Sequence, residues 1–302
     1  MKEFLLIDRI VAALGEAAAG ACVRIGPGDD AAVTATPPGM ELVSSIDALV
    51  ADVHFPAAAG PSLIGYRAIM VSASDLAAMG AAGGFILVAL NLPEGDADWV
   101  AELARGMAEA ADQLGLSVVG GNIAAGPLAV TVSVHGFVPA GQALTRAGAR
   151  VGDDVFVTGH LGGAAAAVAR GDLAGCQSPG DLDVLSDRYF RPRARLAEGV
   201  RLLGVASSAI DLSDGLLQDL SHIGERSGVG FDLEAPAVPV ANGATLAQAL
   251  SGGDDYELCF TMATAPPPLD VALHRIGRVV AKPGIRLDGK AADPSGYQHF
   301  AL

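Results

Sequence analysis

Lysine is almost missing from this chain. Its 302 residues include lysine only at Lys2, Lys282 and Lys290, and Lys and Arg together number 19 against 34 Asp and Glu. The formal net charge of −15 excludes a nucleic-acid partner, because a phosphate backbone demands clustered cations. Cysteine is scarce too. Cys22, Cys176 and Cys259 are odd in number and show no paired spacing, so a disulfide framework is excluded and reduced thiols in a cytoplasmic protein are expected. No uninterrupted apolar stretch opens the chain, which carries Glu3 and Asp8, so no secretory signal is read there. The longest uncharged run, 76–93, approaches the length of a membrane span. Gly80, Gly83 and Gly84 divide it into an Ala- and Met-rich helical half and a strand-like half, so no membrane partner is expected. Hydrophobic residues make up 51% of the chain, enough for a substantial core without staples, and the length favours two domains.

Hydrophobic spacing gives a helix over 3–19, strands at 31–36 and 41–46, and a helix from about Pro61 to Met79. A strand at 85–92, a helix at 97–114 and strands at 116–119 and 128–138 follow. The run Ala129-Val130-Thr131-Val132-Ser133-Val134 alternates with period two, the mark of a half-buried, antiparallel strand. Glycine and polar residues break the pattern at 139–152, a seam that divides an N-terminal domain (1–140) from a C-terminal one (141–302). Beyond it come a strand at 154–158, a helix at 161–170, a loop over 171–187 and a helix begun by Pro192. Strand 206–211, helix 215–226, strand 229–233, helix 245–250 and strand 256–262 complete the core. Strands and helices mix without a strict βαβ rhythm, which predicts an α+β fold.

Five acidic clusters sit among glycines and small apolar residues instead of on a lysine-laced surface: 28–32, 45–47, 74–75, 211–215 and 252–257. Two carboxylates about 4 Å apart repel by roughly 4 kcal/mol at an effective dielectric near 20. Converging clusters therefore need a cation, and hard oxygen donors suit Mg2+ or Ca2+. Asp75 inside an uncharged helix is costly unless paired or metal-bound; its bland alternative is a buried hydrogen-bonding role. Asp211-Leu212-Ser213-Asp214 marks a strand-to-helix junction. There Ser213 or Asp214 could simply cap the helix, or free N–H groups could hold phosphate beside the carboxylates. Gly120-Gly121-Asn122 allows close backbone approach to a ligand but equally serves as a plain connection. Arg146 near the seam could meet a phosphate or stand idle on the surface, and His54 lies in a loop after Asp47 and Asp52.

Two nucleotide signatures fail on inspection. Gly284 to Ala291 has P-loop spacing, but Ala291 stands where a hydroxyl should serve Mg2+, and Pro294 interrupts the expected helix. Gly26 to Ala31 loosely fits a dinucleotide fingerprint, yet Asp29 and Asp30 would face the pyrophosphate with like charge.

In order, the segments 28–33, 45–55, 74–80, 144–146, 211–216, 252–258 and 296–300 resemble the thiamine-monophosphate kinase family, within the aminoimidazole ribonucleotide synthetase-like superfamily. The resemblance covers nearly the whole chain. It implies transfer of the ATP γ-phosphate to thiamine monophosphate, and a two-domain α+β fold whose N-terminal domains pair in a homodimer around a shared β-barrel. It further implies that Asp30, Ser45, Ile46, Asp47, Asp75, Asn122, Asp211 and Asp214 hold several Mg2+ ions. Gly121, Asn122, Arg146 and Ser213 would lie at ATP, and His54, Glu257 and Tyr297 at the thiamine phosphate. No side-chain nucleophile is implied; positioning and charge screening carry such transfers.

The sequence departs from the family pattern where Asn122 replaces an aspartate and Ile46 a threonine. Asn122 keeps one neutral oxygen and Ile46 only its carbonyl, which predicts a weakened Mg2+ site. Two rival readings follow: a non-catalytic nucleotide- or thiamine-phosphate-binding homologue, and a related ATP-dependent synthetase acting on another substrate.

Overall fold

The computed structural model describes residues 3–298; His299 and Phe300 of the terminal motif lie outside them. In chain order the elements are α1 (Glu3–Leu14), β1 (Val23–Ile25), β2 (Val33–Thr34), β3 (Met40–Val50), α2 (Pro61–Ala78), β4 (Ala82–Leu92), α3 (Ala97–Leu114), β5 (Ser117–Ala125) and β6 (Ala129–Pro139). Then follow β7 (Asp154–Thr158), α4 (Gly163–Arg170), α5 (Val184–Phe190), α6 (Leu196–Leu202), β8 (Ser208–Asp211), α7 (Leu216–Ser227), β9 (Gly230–Leu233), α8 (Leu246–Ser251), β10 (Leu258–Met262), β11 (Leu273–Val280), β12 (Gly284–Leu287) and β13 (Lys290–Ala292). This is the expected α+β fold.

Two compact units form. Among the described residues the first comprises 3–76, 81–141 and 171–192; the second comprises 77–80, 142–170 and 193–298.

The first unit is built on a four-stranded sheet of order β3-β6-β4-β5, antiparallel except for the parallel β4–β5 pair. On one face alternate residues such as Ile86, Val88, Val130, Val132 and Val134 are buried. Helix α2 is apolar on nearly every side, as befits a buried helix, and glycines let it touch α3. A Cβ on Gly65 would stand 2.1 Å from the Leu103 carbonyl oxygen, and one on Gly106 would stand 1.9 Å from that of Ser62. Asp96 caps α3 by accepting the N–H groups of Asp98 and Trp99, and Gly115 ends it in the left-handed region, both ordinary helix-end chemistry.

The other face of this sheet is open. Leu42, Ile46 and Val50 of β3 and Leu87 of β4 are exposed, Ile46 at 66%. Strands β3 and β5 are the sheet's edges.

The second unit carries a seven-stranded sheet of order β13-β12-β9-β11-β7-β10-β8, antiparallel except for β12–β9. Its core gathers Val155, Val157, Ile210, Leu216, Leu220, Ile223, Phe231, Cys259, Ile276 and Val279.

Several expectations need correction. The stretch 171–187 is not all loop, since α5 begins at Val184 behind an Asp183 capping box. Pro192 does not open a helix; α6 starts four residues later, at Leu196. Strands β12 and β13, of four and three residues, are too short to show a hydrophobic pattern; β11 lies inside the sheet between β9 and β7, and His274, Arg275 and Arg278 interrupt its apolar residues. The P-loop look-alike is the β12–β13 hairpin, turned at Asp288 and Gly289 with φ of 51° and 76°. Asp-Gly with both residues at positive φ is the favoured chemistry of a two-residue hairpin turn. Among the described residues no helix is long and apolar enough to cross a membrane.

Candidate phosphoryl-transfer site

In the first unit a strand and a helix present matched polar residues to one another. Successive residues of β3 face opposite ways, so Ser45 and Asp47 share one face, and Ser72 and Asp75 lie one turn apart on α2. Ser45 Oγ donates to Asp75 Oδ2, and the Ser72 hydroxyl, 3.0 Å from the Ala68 carbonyl, also supports Asp47. Burial and the Asp75 charge push Asp47 up to about 6, against the opposing hydrogen bond from Ser72. Asp47 lies inside β3 and does not close it, since the strand continues to Val50. Asp30 is exposed, its N–H held by the Asp29 side chain at 2.8 Å.

Ile46 points away from this pair, its side chain on the open apolar face. Gly121 and Asn122 lie within β5, not in a turn after it. A Cβ on Gly121 would stand 1.8 Å from the Val88 carbonyl oxygen, so this glycine has a packing reason beside a ligand-binding one. The ladder aligns Asp47 with Val132, Val88 and Gly121, and Ala48 with Thr131, Ala89 and Asn122. Asp47 and Asn122 thus stand on opposite edge strands, about 14 Å apart at three strand spacings.

His54 follows β3 in a turn that is pinned from several sides. Its Nδ1 accepts the Val50 N–H at 3.0 Å, so that nitrogen carries the lone pair and Nε2 the proton of the neutral ring. Its carbonyl accepts from Arg67 Nε at 3.2 Å and Tyr189 Oη at 2.9 Å, while Arg67 stacks 4.1 Å from the Tyr189 ring centroid. Arg67 and Tyr189 went unnoticed in the sequence because both carry their chemistry into the interior.

In the second unit the acidic junction follows β8. Asp211 is buried, and Ser213 and Asp214 are partly so. Neither Ser213 nor Asp214 caps α7, whose N-cap position is Gly215 with no side-chain cap. Asp219, one turn into the helix, reaches back to accept the N–H groups of Asp214 and Gly215 at 3.0 and 3.1 Å. Two of the N–H groups expected for phosphate are therefore already engaged. Burial, then Asp211 and Asp214, lift Asp219 to about 7.

The glycine-rich loop before β10 clasps this junction. Asp254 N–H donates to the Ser213 carbonyl at 2.7 Å and Tyr256 N–H to that of Leu212 at 2.8 Å. Asp254 and Tyr256 take positive φ of 65° and 51°, a strained choice for non-glycine residues. Asp255 binds the Gly162 N–H ahead of α4 at 2.8 Å, a structural role. Tyr297 is exposed, and its N–H donates to the Asp214 carbonyl at 3.0 Å. Arg146 is exposed, with its carbonyl accepting from Ser227 Oγ at 3.2 Å.

Glu257 is buried and gripped. Arg195 Nε donates to Oε2 at 2.7 Å, Arg195 Nη2 to Oε1 at 2.5 Å, and Thr158 Oγ1 to Oε2 at 2.7 Å. Arg195 was missed by sequence reading. In a chain so poor in cations, the run Arg191, Arg193, Arg195 was the available signal.

These donors are carboxylates, hydroxyls and an amide, all hard oxygens that suit Mg2+. Among the described residues no three His, Cys, Asp or Glu side chains form a ready cage. Mg2+ commonly takes one or two carboxylates and fills its shell with water and phosphate oxygens. The mutual repulsion at Asp47 and Asp75 is the kind of feature a divalent cation relieves.

The family model of the AIR synthase related protein N-terminal domain matches residues 28–138. Thiamine-monophosphate kinase of Escherichia coli (strain K12) is 39% identical, covering 92% of this chain and 93% of that protein. The crystal structure of thiamine-monophosphate kinase from Stenotrophomonas maltophilia K279a superposes with a TM-score of 0.86 at 39% identity, covering 97% of this chain and 98% of that one. AaThiL complexed with AMPPCP and TMP superposes with a TM-score of 0.81 at 31% identity, covering 99% and 97%. The chain belongs to the thiamine-monophosphate kinase family.

Proposed function

We propose that this chain transfers the γ-phosphate of ATP to the phosphate of thiamine monophosphate, giving thiamine diphosphate in the cytoplasm. The observation that carries this reading is near full-length kinship with thiamine-monophosphate kinases, joined to a related structure that holds AMPPCP and TMP. No residue is offered as a nucleophile; the acceptor phosphate oxygen attacks directly.

Mg2+ would be held by Asp30, Ser45, the Ile46 carbonyl, Asp47, Asp75, Asn122, Asp211 and Asp214, and would screen the charge of the two phosphates. Gly121, Asn122, Arg146 and Ser213 serve ATP. His54 and Glu257 serve thiamine phosphate, and Tyr297 offers an aromatic face for a cationic ring.

The working form is a homodimer. Strand β3 is an eleven-residue edge beside an exposed apolar face, a combination that isolated subunits usually avoid. Joining β3 of one copy to β5 of the other would close two sheets into one barrel and set Gly121 and Asn122 beside Ser45 and Asp47.

The test is production of thiamine diphosphate from ATP and thiamine monophosphate under a Mg2+ titration, with wild type and Asn122→Asp side by side. Turnover by wild type is expected, with Asn122→Asp reaching half-maximal rate at lower Mg2+. Absence of product at saturating Mg2+ would refute the kinase reading in favour of a non-catalytic homologue.

A further inference from the structure

Glu257 has no free edge to offer a substrate. Both its oxygens are taken by Arg195, Oε2 also accepts from Thr158, and the Thr158 hydroxyl in turn accepts the Leu258 N–H at 2.8 Å. The carboxylate also lies against Gly159 so closely that a Cβ there would stand 1.9 Å from Oε1. Such a carboxylate fixes something else, and what it fixes is a guanidinium.

Arg195 spends Nε and Nη2 on Glu257. Nη1 is left without a protein acceptor among the described residues, on a side chain that is 14% exposed. A guanidinium presents five N–H donors in a rigid fork, so anchoring one edge aims the other, and that geometry matches phosphate oxygens. Nearby stands a second unsatisfied group. His274 Nε2 is the one buried side-chain nitrogen or oxygen among the described residues that lacks a hydrogen-bond partner. His274 packs edge-on against His160, ring centroids 5.2 Å apart, within electrostatic reach of Glu257. A buried polar atom without a partner calls for explanation, and a bound ligand is one.

We infer that Arg195 is an anion-binding residue for the phosphate monoester of the acceptor, that Glu257 acts through it as a positioning residue, and that His274 supplies an adjoining hydrogen bond. This deepens the kinase reading and rests on it for the identity of the acceptor. It also recasts Glu257, which holds the arginine that meets the substrate.

The experiment compares wild type with Arg195→Ala, Arg195→Lys, Glu257→Gln and His274→Leu. It reads KM for each substrate, and calorimetric binding of thiamine monophosphate against unphosphorylated thiamine. Arg195→Ala should raise the KM for thiamine monophosphate about 10- to 100-fold, as expected for losing a hydrogen bond to a charged group, with little change in the KM for ATP. It should also erase the preference for the phosphorylated ligand. Arg195→Lys, which keeps charge but loses the fork, and Glu257→Gln, which keeps one bond, should fall between. His274→Leu should raise the same KM more modestly.

An Arg195→Ala protein whose two KM values change in parallel, or not at all, overturns the inference and leaves a structural ion pair. Should that variant not fold, unchanged phosphate preference in both Arg195→Lys and Glu257→Gln overturns it equally. If wild type makes no thiamine diphosphate yet prefers the phosphorylated ligand through Arg195, the kinase reading falls and the anion site stands.

Discussion

Asp75 lies near enough to Asp47 that its charge, added to burial, lifts the Asp47 carboxyl to about 6. One carboxylate sits on a strand and the other on a helix, so their approach is imposed by the packing of α2 against β3. In the metal-free protein this proximity costs stability whenever both are ionised.

The pH dependence follows from that relationship. Asp47 binds its proton more tightly in the folded protein than in the unfolded chain, where its pKa is the ordinary 3.8. Stability therefore falls as pH rises from about 4 through about 6, and the whole penalty is present above that window. In chelator at pH 8, Asp47→Asn should be more stable than wild type by about 1–3 kcal/mol, a difference that vanishes below pH 4. Added Mg2+ should raise the melting temperature of wild type more than that of the variant. Thermal melts across pH, with and without Mg2+, check both signs.

Asp219 gives a second, separable case. Its carboxylate holds the N–H groups of Asp214 and Gly215 at the turn that presents Asp211, Ser213 and Asp214. Asp219→Ala would leave two N–H groups unsatisfied, at a cost of about 1–3 kcal/mol each when buried. Asp219→Asn keeps one acceptor oxygen and sheds the repulsion with Asp211 and Asp214. Denaturant midpoints should thus place Asn near wild type and Ala well below it. Turnover should fall in Ala through misplacement of the junction.

How much of this was legible in the sequence depends on where each residue's partner lies. The period-two run at 129–134 and the amphipathic helix at 97–114 announce themselves locally, and both lie where expected. The acidic segments were visible because each sets carboxylates among glycines and small apolar residues with no lysine beside them. Arg195 and Asp219 were not, because an arginine before a helix and an aspartate within one look ordinary until Glu257, 62 residues away in sequence, and the Asp214 N–H are brought to them. Gly121 was legible as a glycine but not as a strand residue. Its meaning depends on the Val88 carbonyl, which only the sheet register supplies.

Gly121→Ala separates those two meanings. A Cβ placed 1.8 Å from the Val88 oxygen cannot be accommodated without moving β4 or β5. The variant should lose several degrees of melting temperature even without nucleotide, consistent with a packing defect of about 1–3 kcal/mol. A Gly121→Ala protein of unaltered stability that binds ATP weakly would instead assign the glycine wholly to the nucleotide.

The register also bears on which copy supplies which residue. Asp47 and Asn122 lie on opposite edges of one sheet, and Asn122 aligns with Ala48 on the face opposite Asp47, so one sheet does not bring both to one metal; in the proposed homodimer Asn122 would come from the second copy. Mixing Asp47→Asn chains with Asn122→Leu chains tests this through the arithmetic of symmetric dimers. If each site draws one residue from each copy, a mixed dimer holds one doubly damaged site and one intact site. Separately tagged and purified mixed dimers should then recover roughly half of wild-type turnover, although each homodimer is impaired. If both residues come from the same copy, every site in the mixed dimer carries a defect and no recovery occurs. Recovery is thus a direct count of intact sites, and it requires no structure of the dimer to interpret.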